Sequence, residues 1–326
     1  MKDNPTTSIT KIVDTVKQWA ECSPGRLALV EASGSWTYQQ LNEIITETQK
    51  WLVESGVRAG DRVMIVCENC RSFVALLLAL VGVDAWPVLV SAQLAAREVD
   101  EIRDHCGARR VLFTTSVSPR ATEHAKRHGA SIREVEGLGV IGIGPLSEAT
   151  EAEELEPDGG SNVAALIYTS GTTGLPKGVM LTHKNLLFMA AGASKIRSLT
   201  EADRLYGVLP MSHAVGLSVV LIGTLLSGAT LYLAPRFDPI SGPTTLVKDQ
   251  ITVLLGVPAM FLQVLQYAKL RGLRKLSFPA LRIIASTGAP LQPNIKAEVE
   301  SLFGLVLHNG YGVTECSPTI AQTRIE

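Results

Sequence analysis

Short, nearly continuous apolar runs alternate with amphipathic stretches along most of this chain. The runs "DRVMIV", "WPVLV", "RRVLFT", "VAALIYTS", "DRLYGVLP", "ATLYLA", "ITVLLG", "LRIIAS" and "LVLHNGYG" have the length and pattern of strands buried on both faces. Helical patterns lie between them. "TYQQLNEIITETQKWLVESG" opens with Thr37 and Gln40 at capping-box spacing, sets Leu41, Ile44, Ile45 and Leu52 on one face, and offers Gly56 as a stop. An apolar helix is predicted from about Phe73, and an amphipathic one over Ala96–His105. Such alternation predicts an α/β fold built from two helix-covered, largely parallel β-sheet subdomains. The acidic, irregular stretch from about Gly137 to Ser161 reads as a surface connection between the two sheets. It divides the chain into a first subdomain over 1–140 and a second over 141–326. There is no internal repeat or low-complexity tract.

Composition narrows the choices. With 46% apolar and 19% charged residues, the 326-residue chain is globular. Lysine plus arginine (30) nearly balance aspartate plus glutamate (31), so no whole-chain field favours nucleic acid or an anionic membrane. Any anionic ligand must be held locally. Five cysteines make no disulfide framework at this length. Cys67 and Cys70 form a CxxC without a second pair at zinc spacing; a core-facing Cys67 and a helix-entry Cys70 are expected instead. The stretch from Ala214 to Pro235 carries no charge and is long enough to imitate a membrane span. A buried helix, a glycine stop at Gly228 and an inner strand fit its Ser-Gly break better. With no apolar signal core at the N-terminus, the cytoplasm is the expected location.

In open α/β sheets, ligands sit at the carboxyl ends of strands. Four unusual stretches fall at such ends: "TSGTTG", "PMSH", "STGAP" and "GYGVTE". The first belongs to 168-YTSGTTGLPKGVMLTH-183. Gly171 and Gly174 allow consecutive N–H groups to converge on an anion. Thr169, Ser170, Thr172 and Thr173 add hydroxyl donors, and Lys177 adds a compact positive charge. A P-loop would run directly into a helix. Here "KGVML" predicts a strand, which argues against an ordinary NTPase or kinase.

"YTSGTTGLPKGV" resembles the signature phosphate loop of the adenylate-forming (AMP-binding) superfamily, most closely its acyl-CoA synthetase branch, and Thr169 to Gly178 all fit that pattern. "LPMSHAVGL", "STGAPL", "FDP…VLLGVPAMF" and "NGYGVTE" resemble further family segments in the family's order, so the likeness extends over nearly the whole chain. The resemblance implies the fold of that superfamily's N-terminal domain and a set of roles. Thr169, Ser170, Gly171, Thr172, Thr173, Gly174 and Lys177 would hold the ATP phosphates. Gly288, Ala289 and Pro290 would wall the nucleotide pocket, with Asn309, Gly310, Tyr311 and Gly312 along adenine and Thr314 at the α-phosphate. Glu315 would hold magnesium. His213, Val215, Gly216, Val257, Pro258, Gly288 and Gly312 would surround the acyl group. Lys177, His213, Thr314 and Glu315 would serve the chemistry.

The implied reaction is ATP-dependent: a carboxylate attacks the α-phosphorus and expels pyrophosphate, then coenzyme A displaces AMP. Amino-acid-activating members carry an acid in the "PMSHAVGL" region, and Met211, Ser212 and His213 supply none. A fatty or other apolar carboxylic acid is therefore the expected substrate. The family's ribose-binding aspartate and its small C-terminal domain with a late lysine are absent, so the sequence is expected to be the N-terminal part of a longer ligase, with little activity on its own. Two alternatives stand beside it: an enzyme loading a carrier protein, and a non-enzymatic nucleotide- or acyl-binding module. A homodimer is left open.

Overall fold

The computed structural model describes residues 9–169 and 176–325. Its strands, in chain order, are β1 (Leu27–Glu31), β2 (Gly34–Thr37), β3 (Arg62–Cys67), β4 (Trp86–Ser91), β5 (Arg110–Phe113), β6 (Ser131–Val135), β7 (Gly139–Ile143), β8 (Val163–Thr169), β9 (Lys177–Thr182), β10 (Arg204–Gly207), β11 (Thr230–Leu233), β12 (Val253–Gly256), β13 (Ile283–Ser286), β14 (Leu307–Gly312) and β15 (Thr319–Gln322). They form two sheets. One has the order β6-β7-β5-β3-β4-β8-β9 and the other β15-β14-β13-β12-β10-β11-β1-β2. The inner pairings are parallel except β5–β7, and antiparallel hairpins close the edges: β8–β9, β6–β7, β1–β2 and β14–β15.

The sheets do not follow the expected boundary near residue 140. Strands β8 and β9, on either side of the glycine-threonine segment, complete the sheet begun by β3, whereas β1 crosses over to pair with β11 and carries β2 as the edge strand. The acidic connection thus joins two strands of one sheet, β7 and β8, and Arg62 holds Glu153 within it. The β6–β7 hairpin was also unexpected. All of β6 except Val135 is solvent-exposed, so it lacks the apolar run that marks a buried strand.

The helix Arg71–Gly82 explains how the sheets are held together. It is apolar all round, and Phe73 to Val81 are at most 1% exposed. Such a helix needs cover on every side. It packs against β1 of one sheet and β3 and β4 of the other, inside a core cluster that runs through both. Thr37 caps the neighbouring helix Tyr38–Glu54 with the reciprocal Gln40 bond, as its spacing predicts. Cys70 caps the apolar helix, its sulfur accepting from the Phe73 N–H, while Cys67 is buried in the core. Burial raises both thiol pKa values, that of Cys70 to about 12, so both stay protonated. The uncharged stretch after Ala214 is a buried helix, a π-helix over Val215–Ile222 continuing as Gly223–Leu226, followed by a left-handed Gly228 and β11. Among the described residues no helix is long and apolar enough to cross a membrane.

Candidate active site

β10, β12, β13 and β14 are parallel neighbours, so their carboxyl ends open on one edge of the sheet. Three of the four unusual stretches meet there. β10 leads into Pro210–His213, β13 into Thr287–Pro290, and β14 runs through Asn309–Gly312 into the turn Thr314–Cys316. Val257 and Pro258 follow β12, and a Cβ on Gly288 would lie 3.5 Å from Val257 Cγ1. The fourth stretch approaches from the other sheet. Thr169 and Lys177 face each other at the tip of β8–β9, and β9 comes within 8 Å, Cα to Cα, of the Thr314–Cys316 turn. Ser170, Gly171, Thr172, Thr173 and Gly174 lie outside the described residues.

Side chains at this edge are set up to receive a ligand. Tyr311 is 63% exposed, leaving an aromatic face open to solvent, and Gly288, Ala289 and Pro290 are exposed as well. Lys177 and Glu315 are exposed, and among the described residues neither has an ion-pair partner. Asn309 Oδ1 is buried without a hydrogen bond. Thr314 is half-buried at the start of its turn. Two glycines here are required by close approach. A Cβ on Gly216 would stand 2.1 Å from the Pro210 carbonyl oxygen, and one on Gly312 1.8 Å from that of Pro318. The first lets the π-helix start directly under the His213 loop; the second lets β14 turn back into β15.

His213 keeps one face open to solvent, while the surrounding chain strips water from the rest of the ring and lowers its pKa below the ordinary imidazole value. It is therefore neutral at pH 7. Its loop is fixed by a residue that pattern reasoning passed over. Asn69, buried in the turn after β3, donates to the carbonyls of Gly207 (3.0 Å) and Leu209 (2.9 Å) and accepts from the Met211 N–H (2.9 Å). One side chain of the first sheet thereby clamps the strand end of the second. Next to it Glu68 accepts from Arg236 Nε (2.8 Å) and Nη2 (2.6 Å), a second tie between the sheets. Both residues lie inside "CENC", where the cysteines drew attention away from the strand-end polar pair.

Val215 lines a small enclosed cavity behind this edge, together with Val219, Leu255, Ala285, Ser286 and Gly310. Its wall is mixed, since Arg197, Thr287, Thr319 and Gln322 line it as well.

The family model described as AMP-binding enzyme matches residues 16–326, which includes every segment that meets at this edge. The chain belongs to that family. Feruloyl-CoA synthase of an Amycolatopsis species is 29% identical over 304 residues, 92% of this chain and 59% of the relative. The chain thus spans less than two thirds of that relative's length. The N-terminal domain of FACL13 from Mycobacterium tuberculosis, solved with an inhibitor, superposes with a TM-score of 0.78 at 25% identity, over 95% of this chain and 77% of that one. A long-chain-fatty-acid-CoA ligase (FadD1) from Archaeoglobus fulgidus shares the fold at a TM-score of 0.81 and 22% identity, over 97% of this chain and 66% of its own. The AMP-binding chain is therefore built as an adenylate-forming N-terminal domain.

Proposed function

We propose that this AMP-binding chain holds ATP and a carboxylic acid for an acid–thiol ligase that works through an acyl-adenylate. The observation that carries the reading is the approach of β9 to the Thr314–Cys316 turn, within 8 Å Cα to Cα, beside the open ends of β10, β12, β13 and β14. Adenine lies on Tyr311 against the Gly288–Pro290 backbone. The threonine- and glycine-rich hairpin and Lys177 take the β- and γ-phosphates, and Thr314 bonds the α-phosphate. The acid's carboxylate oxygen attacks the α-phosphorus as the bond to the β-phosphate oxygen breaks, and pyrophosphate leaves. A thiol, coenzyme A in this reading, then attacks the acyl carbon and AMP departs.

Attack of one anion on another requires positive charge placed in advance. Lys177 supplies it from the chain. Glu315 fits a magnesium site: it is a single exposed carboxylate, and no cluster of three acidic, histidine or cysteine ligands exists among the described residues. That donor set suits a hard cation completed mainly by phosphate oxygens. Bound there, magnesium would neutralise charge on the triphosphate. His213, neutral at pH 7, accepts or donates a hydrogen bond beside the acid without competing with Lys177 as a cation. The missing carboxylate in Met211–His213 leaves an α-ammonium group without a partner, so amino acids are disfavoured.

Pyrophosphate–ATP exchange by the full-length protein against a panel of carboxylic acids tests the proposal. Exchange with at least one acid lacking an amino group is expected. Exchange with none overturns the ligase reading, and exchange with amino acids alone overturns the substrate assignment.

A further inference from the structure

The end of the helix Pro258–Leu270 and the loop after it carry a patch that the site does not use. Lys269, Leu270, Arg271, Gly272, Leu273, Arg274 and Lys275 are consecutive exposed residues, four of them basic and none acidic. From residue 250 to residue 297 the chain has no aspartate or glutamate at all. Arg282 and Lys296, the other basic residues of that stretch, pair with Asp203 and Glu300, whereas among the described residues no carboxylate pairs with any of the four. Leu270, at 87%, is the most exposed large hydrophobic side chain among the described residues, and Leu273 beside it is 41% exposed. Arg271 lies over the Tyr267 ring, 5.7 Å from its centroid, which holds one charge against the helix end. The Leu276 N–H donates to the Leu302 carbonyl (2.8 Å) and anchors the far side of the loop.

A helix C-terminus favours a nearby cation, which accounts for Lys269 in the last turn. It does not account for Arg274 and Lys275 beyond the helix, nor for two leucines held in water among like charges. Position in the fold narrows the partner. The helix begins at the carboxyl end of β12, where the site opens, and its 13 residues carry the chain back toward the amino ends of the strands, a run of about 20 Å. The patch therefore lies at the opposite end of this layer from the reacting edge. A carrier protein seated here would hold its thiol at the wrong end of the helix. Nucleic acid would engage the cations through its phosphates and leave the leucines in water. The boundary of an anionic bilayer satisfies both, since its headgroups meet the cations and its acyl layer takes the leucines. We propose that residues 269–275 dock the chain reversibly on an anionic lipid surface, with the open strand ends turned to the aqueous side. The chain as a whole is nearly neutral, so the attraction is confined to this patch. The proposal does not depend on the ligase reading.

Sedimentation of the 326-residue chain with lipid vesicles tests the docking surface. Vesicles of phosphatidylcholine alone are compared with vesicles that hold about one third phosphatidylglycerol. At low ionic strength the chain should bind the anionic vesicles at least about tenfold more tightly than the neutral ones. At about 0.5 M salt, where screening shortens the reach of the charges to a few ångströms, that advantage should be largely lost. Arg274→Glu combined with Lys275→Glu should weaken binding by about tenfold or more, because each cation near an anionic surface contributes about fivefold. Leu270→Ser combined with Leu273→Ser should weaken it several-fold and leave the salt dependence in place. All four positions are exposed, so melting temperatures should move by no more than about 2 °C. Lys126→Glu combined with Arg133→Glu reverses two exposed charges elsewhere on the chain and should leave binding unchanged. The proposal fails if anionic vesicles bind no better than neutral ones, a result that needs no variant to fold. It also fails if the Arg274 and Lys275 reversal weakens binding no more than the Lys126 and Arg133 reversal. A silent leucine pair together with tighter binding of a DNA duplex assigns the cations to nucleic acid and overturns the lipid surface. Vesicle binding and pyrophosphate exchange are read separately, so the failure of either leaves the other standing.

Discussion

Asn69 and the Arg197–Ser286 pair are both buried polar groups near the carboxyl ends of strands, and they differ in one respect. Asn69 has three good hydrogen bonds, all to backbone of the neighbouring sheet. Arg197 Nε and Ser286 Oγ have none. A satisfied buried amide rigidifies and positions. An unsatisfied pair on a cavity wall is held in the fold at a cost, which a single buried water offsets. The two sites separate a buried group that the folded chain satisfies from a pair that it leaves without partners.

The sharpest test of that contrast removes the clamp. Asn69→Leu leaves the Leu209 carbonyl and the Met211 N–H without this partner, while the Gly207 carbonyl keeps only its bond from the Ala234 N–H, and should cost roughly 2–4 kcal/mol, read as a lower denaturant midpoint. Loss of less than about 1 kcal/mol would mean that the loop is held by other contacts.

A second buried polar contact gives a pH test. His183 Nδ1 accepts from the Ile12 N–H (3.1 Å), and burial lowers its pKa to about 4. Because the folded value lies below the unfolded value of about 6.5, the unfolded chain binds the proton first as pH falls. Stability is full above pH 6.5 and declines toward pH 4, by up to about 3 kcal/mol over that window. Urea midpoints at pH 7 and pH 5 should show the decline, and His183→Gln should flatten it.

At the open edge, Lys177→Ala should weaken MgATP binding about tenfold with little change in melting temperature, since the ammonium has no partner to lose among the described residues. Equal affinity in the variant would remove Lys177 from the phosphate site. The smallest effect belongs to the unsatisfied side of the comparison: Ser286→Ala should change unliganded stability by no more than about 0.5 kcal/mol, because no bond is broken. A larger loss would reveal a partner for the hydroxyl.

What the sequence made legible follows from locality. Alternating apolar runs, the Thr37 capping box, the strand after Lys177 and the strand-end position of "STGAP" and "GYGVTE" depend on neighbours a few residues apart, and the structure has them all. Sheet membership depends on pairing between distant segments, which is why the boundary near 140 separated β8 and β9 from the sheet they complete. The exposed β6 left no periodic trace. Asn69 and Arg197 were invisible for a related reason. An asparagine in a turn and an arginine after a helix look like solvated residues until tertiary packing buries them.

The crossover of β1 and β2 governs how this molecule can be built and cut. Thr230 Oγ1 donates to the Leu27 carbonyl, and Tyr38 donates to the Ala229 carbonyl, across 203 and 191 positions of sequence. During translation the early hairpin must wait for two hundred further residues before its mate emerges, so closure is a late event with a large chain-entropy penalty. Trimming the chain as far as Tyr38 would bare the flank of β11, and an uncovered parallel strand of that kind invites self-association.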